Sequence, residues 1–173
     1  MIRASISHDQ MMAMGDRELA AACFSPMIRA YKEAESVGES FAETGYGTLT
    51  RGQQALFAFW AYRTHAEHSE ADLYWWTAYF MAQPRRWDSV KAGLGYFGDI
   101  GTIGVLQEME AELAQRGHPR SLAGFDVSFD DLYGDPKLAG IAARLYGRLL
   151  EALPATTAVV AGYIRAHASE FIA

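Results

Sequence analysis

The sequence predicts an all-α protein, a compact single-domain bundle of about seven helices over residues 1–173. Three observations predict it. The chain contains 29 alanines, and alanine is the strongest helix former. Apolar residues recur at helical spacing almost throughout, and only one short stretch alternates with period two. Helix-start residues stand ahead of the apolar runs, with glycine or proline at their ends. The 173 residues are 50% hydrophobic and 21% charged, which excludes intrinsic disorder and allows one sizeable core without metal or disulfide. No repeat or low-complexity segment divides the chain.

The elements follow in order. A first helix is expected over residues 9–24, and Pro26 fits the first turn of a second that ends near Ser36. Residues 37–49 hold Gly38, Gly45 and Gly47 and read as a loop. Thr50 with Gln53 three residues on has the form of a capping box. It opens a helix to about Glu67 that is apolar nearly all round. Ser69, with Asp72 three residues later, caps the next, which runs through residues 73–82 and stops before Pro84. A helix apolar on every side belongs in the centre of a domain, so these two form the expected core pair. Asp88 is placed to cap a helix through Lys91, Leu94 and Phe97. In residues 102–116, Ile103, Val105, Leu106, Met109 and Leu113 share one face, with Glu108 and Glu112 opposite, and Gly117 and Pro119 end the run. Residues 125–130 carry the period-two pattern; a lone strand has no partner, so an extended segment laid on the helices is expected. Asp135-Pro136 opens a helix with Leu138, Ile141, Ala142, Leu145 and Leu149 inward, and Pro154 opens the last, with Val160, Ile164 and Phe171 on one face.

The net charge is −6. Residues 99–135 contain eight acids and two basic residues, so they carry all of it, and the rest of the chain is neutral. Such a balance lacks the basic face of a nucleic-acid binder and suits a basic protein partner steered by an acidic surface. The expected contact residues are Glu108, Glu112, Asp126, Asp130 and Asp131, in a non-enzymatic interaction protein, with a homodimer as a further expectation. Cys23 is the only cysteine; it excludes an intrachain disulfide and reads as a small buried residue. Asp9, Asp16, Arg17 and Glu18 interrupt any secretory apolar stretch, and no apolar run approaches the ~20 residues that span a bilayer. A cytoplasmic protein is expected.

Two alternative sites stand beside this surface. His65, His68 and Asp72 would share one side of a continuous helix, and two imidazoles with a carboxylate suit a divalent metal such as zinc or non-haem iron; the alternative function is a metal- or small-ligand-binding helical enzyme using His65 and His68. The helix break at Ser69 would separate Asp72 from the histidines. All four tryptophans fall in residues 60–87, and Trp75, Trp76 and Trp87 with Arg85 and Arg86 would make an aromatic pocket with a guanidinium at its mouth. Gly93-Leu94-Gly95-Tyr96-Phe97-Gly98 matches the dinucleotide string, but it follows a helical pattern rather than a strand and reads as close packing and a helix end. His167 reads as a hydrogen-bonded boundary residue. The three aspartates lack the calcium-loop pattern. No serine-nucleophile elbow or phosphate-binding loop motif occurs, and the chain has no asparagine.

Three stretches resemble a bacterial all-helical family, the DNA mimic protein (DMP) domain family. They are Leu49-Thr50-Arg51-Gly52-Gln53-Gln54-Ala55-Leu56; the aromatic helix at Tyr74-Trp75-Trp76; and Asp130-Asp131-Leu132-Tyr133 with Tyr163-Ile164-Arg165-Ala166-His167 and Glu170-Phe171. The resemblance covers residues 49–173. The Asn-Gly-Gly-Phe motif typical of members is absent. The resemblance implies an all-helical fold and, as a functional alternative, competition with DNA for a DNA-binding protein. It carries over no individual site residue.

Overall fold

The computed structural model describes residues 2–173. Among them lie ten α-helices: α1 (His8–Ala13), α2 (Asp16–Ser36), α3 (Phe41–Thr44), α4 (Arg51–Ala66), α5 (Glu70–Met81), α6 (Pro84–Tyr96), α7 (Gly101–Gln115), α8 (Asp131–Gly134), α9 (Pro136–Ala166) and α10 (Ala168–Phe171), with a 3-10 turn at Tyr46–Thr48. The all-α class holds, while the count of about seven does not. The surplus is short: α3, α8 and α10 have four residues each and α1 has six. Single turns of this length carry no periodicity to read.

Three boundaries differ from expectation. Pro26 lies inside α2 and the break falls at Gly15, because Ser7 caps α1 first: its Oγ accepts from the Gln10 N–H, and the Gln10 side chain accepts from the Ser7 N–H at 2.8 Å. Pro154 likewise lies inside α9. There it removes a donor to the Leu150 carbonyl. Just beyond it, the Thr156 and Thr157 hydroxyls bond the Ala152 and Leu153 carbonyls, at 3.2 and 2.5 Å. Leu149, Leu153, Thr156, Thr157 and Val160 stay on one buried face across the proline, and that packing overrides the local penalty. Asp88 caps nothing; α6 starts at Pro84, which at the first helical position needs no N–H. The expected loop at residues 37–49 contains α3 and the 3-10 turn, tied down by buried Phe41 against Tyr31 and Phe57.

The caps at Thr50 and Ser69 form as read. Helix α4 runs through the core between α2, α5 and α6. A Cβ on Gly93 would stand 2.8 Å from the Ala55 carbonyl oxygen, so glycine is what lets α6 approach α4. Gly98, at φ +75°, ends α6: its N–H donates to the Gly95 carbonyl and the Asp99 N–H to that of Leu94. The glycine string is therefore packing and helix end. Residues 125–130 form no strand. The termini meet: the Ala4 N–H donates to the Phe171 carbonyl at 2.7 Å, and the Gln53 amide of α4 donates to Ile2 and Glu170 carbonyls.

Candidate functional site

Helix α5 presents two faces. Leu73, Tyr74, Thr77, Ala78, Phe80 and Met81 are buried; the Tyr62 hydroxyl meets Thr77 Oγ1 at 2.7 Å in the closed interior. Trp75, Trp76 and Tyr79 share the other face at helical spacing and are only partly buried. They do not sit at the centre of the domain.

A strap, residues 119–130, lies along this face after Gly117 turns the chain out of α7 at φ +74°. The Trp75 indole N–H donates to the Val127 carbonyl at 3.0 Å. The Trp75 ring lies parallel to Tyr79 and to Phe129, each at 5.1 Å and 10°. Phe125 meets Trp75 and Tyr79 edge-on. Trp76 stacks on His65 at 3.9 Å. The result is a continuous, half-exposed aromatic surface built from α4, α5 and the strap.

Both ends of the strap are anchored on Tyr74. Its hydroxyl donates to Asp131 Oδ2 at 2.8 Å and sits 3.0 Å from His118 Nε2, while His118 Nδ1 faces the Leu113 carbonyl at 3.1 Å. Asp131 also accepts from the Ser128 N–H. Burial, reinforced by Asp131, pushes the Tyr74 hydroxyl up from its ordinary value. Burial pulls His118 down, against the opposing pull of the Leu113 carbonyl and Asp131.

The acidic stretch is neutralised over much of its length. Glu108 pairs with Arg144 at 2.7 Å and with Arg148, which hold its carboxyl below the usual range. Glu110 pairs with Lys91 at 2.8 Å and Arg120 at 3.3 Å. Glu112 pairs with Arg116 at 2.6 Å, and Arg116 also reaches Asp135. Asp131 is taken up by Tyr74. Among the described residues, Asp126 and Asp130 have no ion-pair partner, and both are exposed on the strap. Glu108 thus meets arginines distant in sequence, Arg144 and Arg148, and Glu112 meets Arg116 four residues on.

The other two expected sites do not assemble. The chain breaks at Ser69, whose Oγ accepts from the Asp72 N–H at 3.0 Å and donates to the Asp72 carboxylate at 2.5 Å. His65 lies flat on Trp76, and His68 points to a different cleft. Among the described residues, no group of three or more His, Cys, Asp or Glu side chains is arranged to hold a metal ion. Trp87 is 1% exposed and packs on Tyr62, whereas Arg85 and Arg86 are exposed and Trp75 and Trp76 face outward. These five residues line no common pocket.

A second feature escaped the sequence reading. Between the start of α2, the end of α4 and the proline turn of α9 lies a cleft of about 510 Å³, lined by Asp16, Arg17, Arg63, Glu67, His68, Leu150, Leu153, Pro154 and Thr157. Arg63, 5% exposed, donates through Nε to Glu67 at 2.9 Å and through Nη1 to Thr157 Oγ1 at 2.6 Å, with its guanidinium over the Trp60 ring. Burial lowers its pKa, and Glu67 opposes the shift. Arg17 also pairs with Glu67 at 2.5 Å, and Arg165 pairs with Asp16 at 2.7 Å. The signal in the sequence was a charged i, i+4 pair inside an otherwise apolar helix; its partners on α2 and α9 lie far along the chain.

No family model, no curated protein and no solved structure matches the chain, so the function is read from this geometry.

Proposed function

We propose that the protein is a non-enzymatic interaction module whose contact face is the aromatic surface of α5 and the strap, and whose partner is a basic protein. The observation that carries the reading is the partly exposed parallel stack Tyr79–Trp75–Phe129, with unpaired Asp126 and Asp130 exposed on the same strap that supplies Phe129. Aromatic faces attract guanidinium and ammonium groups, with about 0.5–2 kcal/mol for each contact. A neighbouring carboxylate then accepts charge-assisted hydrogen bonds from the same cation. Aromatic residues also dominate the energetic centres of protein interfaces.

The test is a capture experiment from native lysate with four baits: the wild type, Trp75→Ala, Asp126→Lys with Asp130→Lys, and Glu108→Gln. A basic protein retained by the wild type and by Glu108→Gln, lost with the other two and released by salt, is the expected result. Equal capture by all four baits overturns the assignment of the face. A DNA-binding protein that DNA displaces would place the partner in the class implied by DNA mimicry.

A further inference from the structure

We infer that the cleft between α2, α4 and α9 binds a small monocarboxylate carrying a short apolar group. It shares no residue with the aromatic face and does not depend on the function proposed for that face.

The charge balance gives the ligand its sign. Arg17 and Arg63 in the lining, with Arg165 pairing with Asp16 from outside it, contribute three positive charges, and Asp16 and Glu67 contribute two negative ones. The ion-paired cluster therefore carries one net positive charge. A single carboxylate restores neutrality, whereas a doubly charged phosphate overshoots it.

The donors give the ligand its head group. An arginine offers five N–H donors in a planar fork. Arg63 uses Nε on Glu67 and Nη1 on Thr157, and Nη2 has no partner among the described residues. The side chain cannot swing away, because Trp60, Glu67 and Thr157 hold it. It is a preorganised donor at the wall of a cavity, which is what carboxylate recognition requires. Glu67 does not compete for a cationic ligand, since both its oxygens already accept from Arg17 and Arg63.

The opposite wall gives the ligand its tail. Leu150, Leu153 and Pro154 are apolar, and Pro154 cannot donate a hydrogen bond from its nitrogen. A volume of about 510 Å³ falls within the ordinary range of small-molecule sites.

The test titrates the intact protein with isovalerate, isoamylamine and inorganic phosphate, following the Arg63 Nε–H and Thr157 amide signals by 15N NMR. Saturable shifts at both signals with isovalerate, with Kd at or below ~1 mM, and none with the amine, are expected. Leu150 is 45% exposed at the mouth, so Leu150→Asp keeps the fold and should weaken isovalerate at least about tenfold by repulsion and loss of the apolar wall. Arg63→Gln should abolish binding; its circular dichroism reports whether it folds, and Leu150→Asp decides the matter if it does not. N-acetyl-Gly-Leu carries the same carboxylate at a chain end: tighter binding than isovalerate assigns the site to a protein C-terminus, weaker binding to a free acid. No saturable shift, equal response to the amine, or phosphate binding that ignores Leu150→Asp overturns the inference.

Discussion

Helices α4 and α5 are adjacent in sequence and in space, and they meet opposite fates. Helix α5 is the more apolar of the two. Yet α4 is the enclosed one, with Gly52, Gln53, Ala55, Leu56, Ala58, Phe59, Trp60, Tyr62, Arg63 and Ala66 buried, while α5 keeps Trp75, Trp76 and Tyr79 half open. Mean hydropathy therefore did not rank burial. Position did: α4 has α2, α5 and α6 around it, and the outer face of α5 has the strap. An apolar helix with one open aromatic side is a core element and a contact surface at once.

Truncation on the two sides separates these roles most strongly. Trp87→Ala removes a fully buried ring from the closed side and should cost about 3–5 kcal/mol in urea unfolding. Trp75→Ala on the open side should cost about 1–2 kcal/mol, in keeping with its partial burial. Equal losses would mean that the aromatic face is simply more core, and the comparison would collapse.

The closed side is also sensitive to added volume. Gly93→Ala should destabilise by about 1–3 kcal/mol, since its Cβ meets backbone of α4 rather than a movable side chain. A neutral result would show that α6 can shift away from α4.

Burial on the closed side fixes a chemical signature as well. Cys23 of α2 is pushed up from 9.0 to about 12 by desolvation. Its folded pKa lies above the unfolded one, so its contribution to stability is complete below pH 9.0 and is lost as pH rises toward about 12. A thiol that stays protonated is a poor nucleophile. Native protein at pH 8 should resist iodoacetamide and label only in denaturant; rapid native labelling would show that this side opens.

The smallest effect belongs to the acids of α7. Glu108→Gln should change stability by at most about 1 kcal/mol, less in high salt, because the Glu108 pairs with Arg144 and Arg148 are solvent-exposed. A larger loss would give the α7–α9 ion pairs a structural role that their exposure argues against.

What could be read ahead of the structure, and what could not, divides by range along the chain. The caps at Thr50, Ser69 and Asp135 and the stop at Gly117 involve groups within about four residues, and each formed as read. Pro26 and Pro154 were misread as boundaries because a local rule met a buried face that continued past them. Of the acids expected to meet a partner, Asp126 and Asp130 carry no ion pair among the described residues, while Glu108 meets arginines that lie on α9. The histidine set dissolved because a stacking partner, Trp76, took His65.

By itself the sequence determined the all-α class and the helix starts at Thr50, Ser69 and Asp135, since these follow from propensity, periodicity and capping, which act over a few residues. Only the tertiary structure decided which side of α5 stays open, which acids remain unpaired, and that Arg17, Arg63, Glu67 and Thr157 converge on one cleft. The cleft depends on contacts such as Arg17–Glu67 and Arg63–Thr157, 50 and 94 positions apart, and no local rule carries information over that distance.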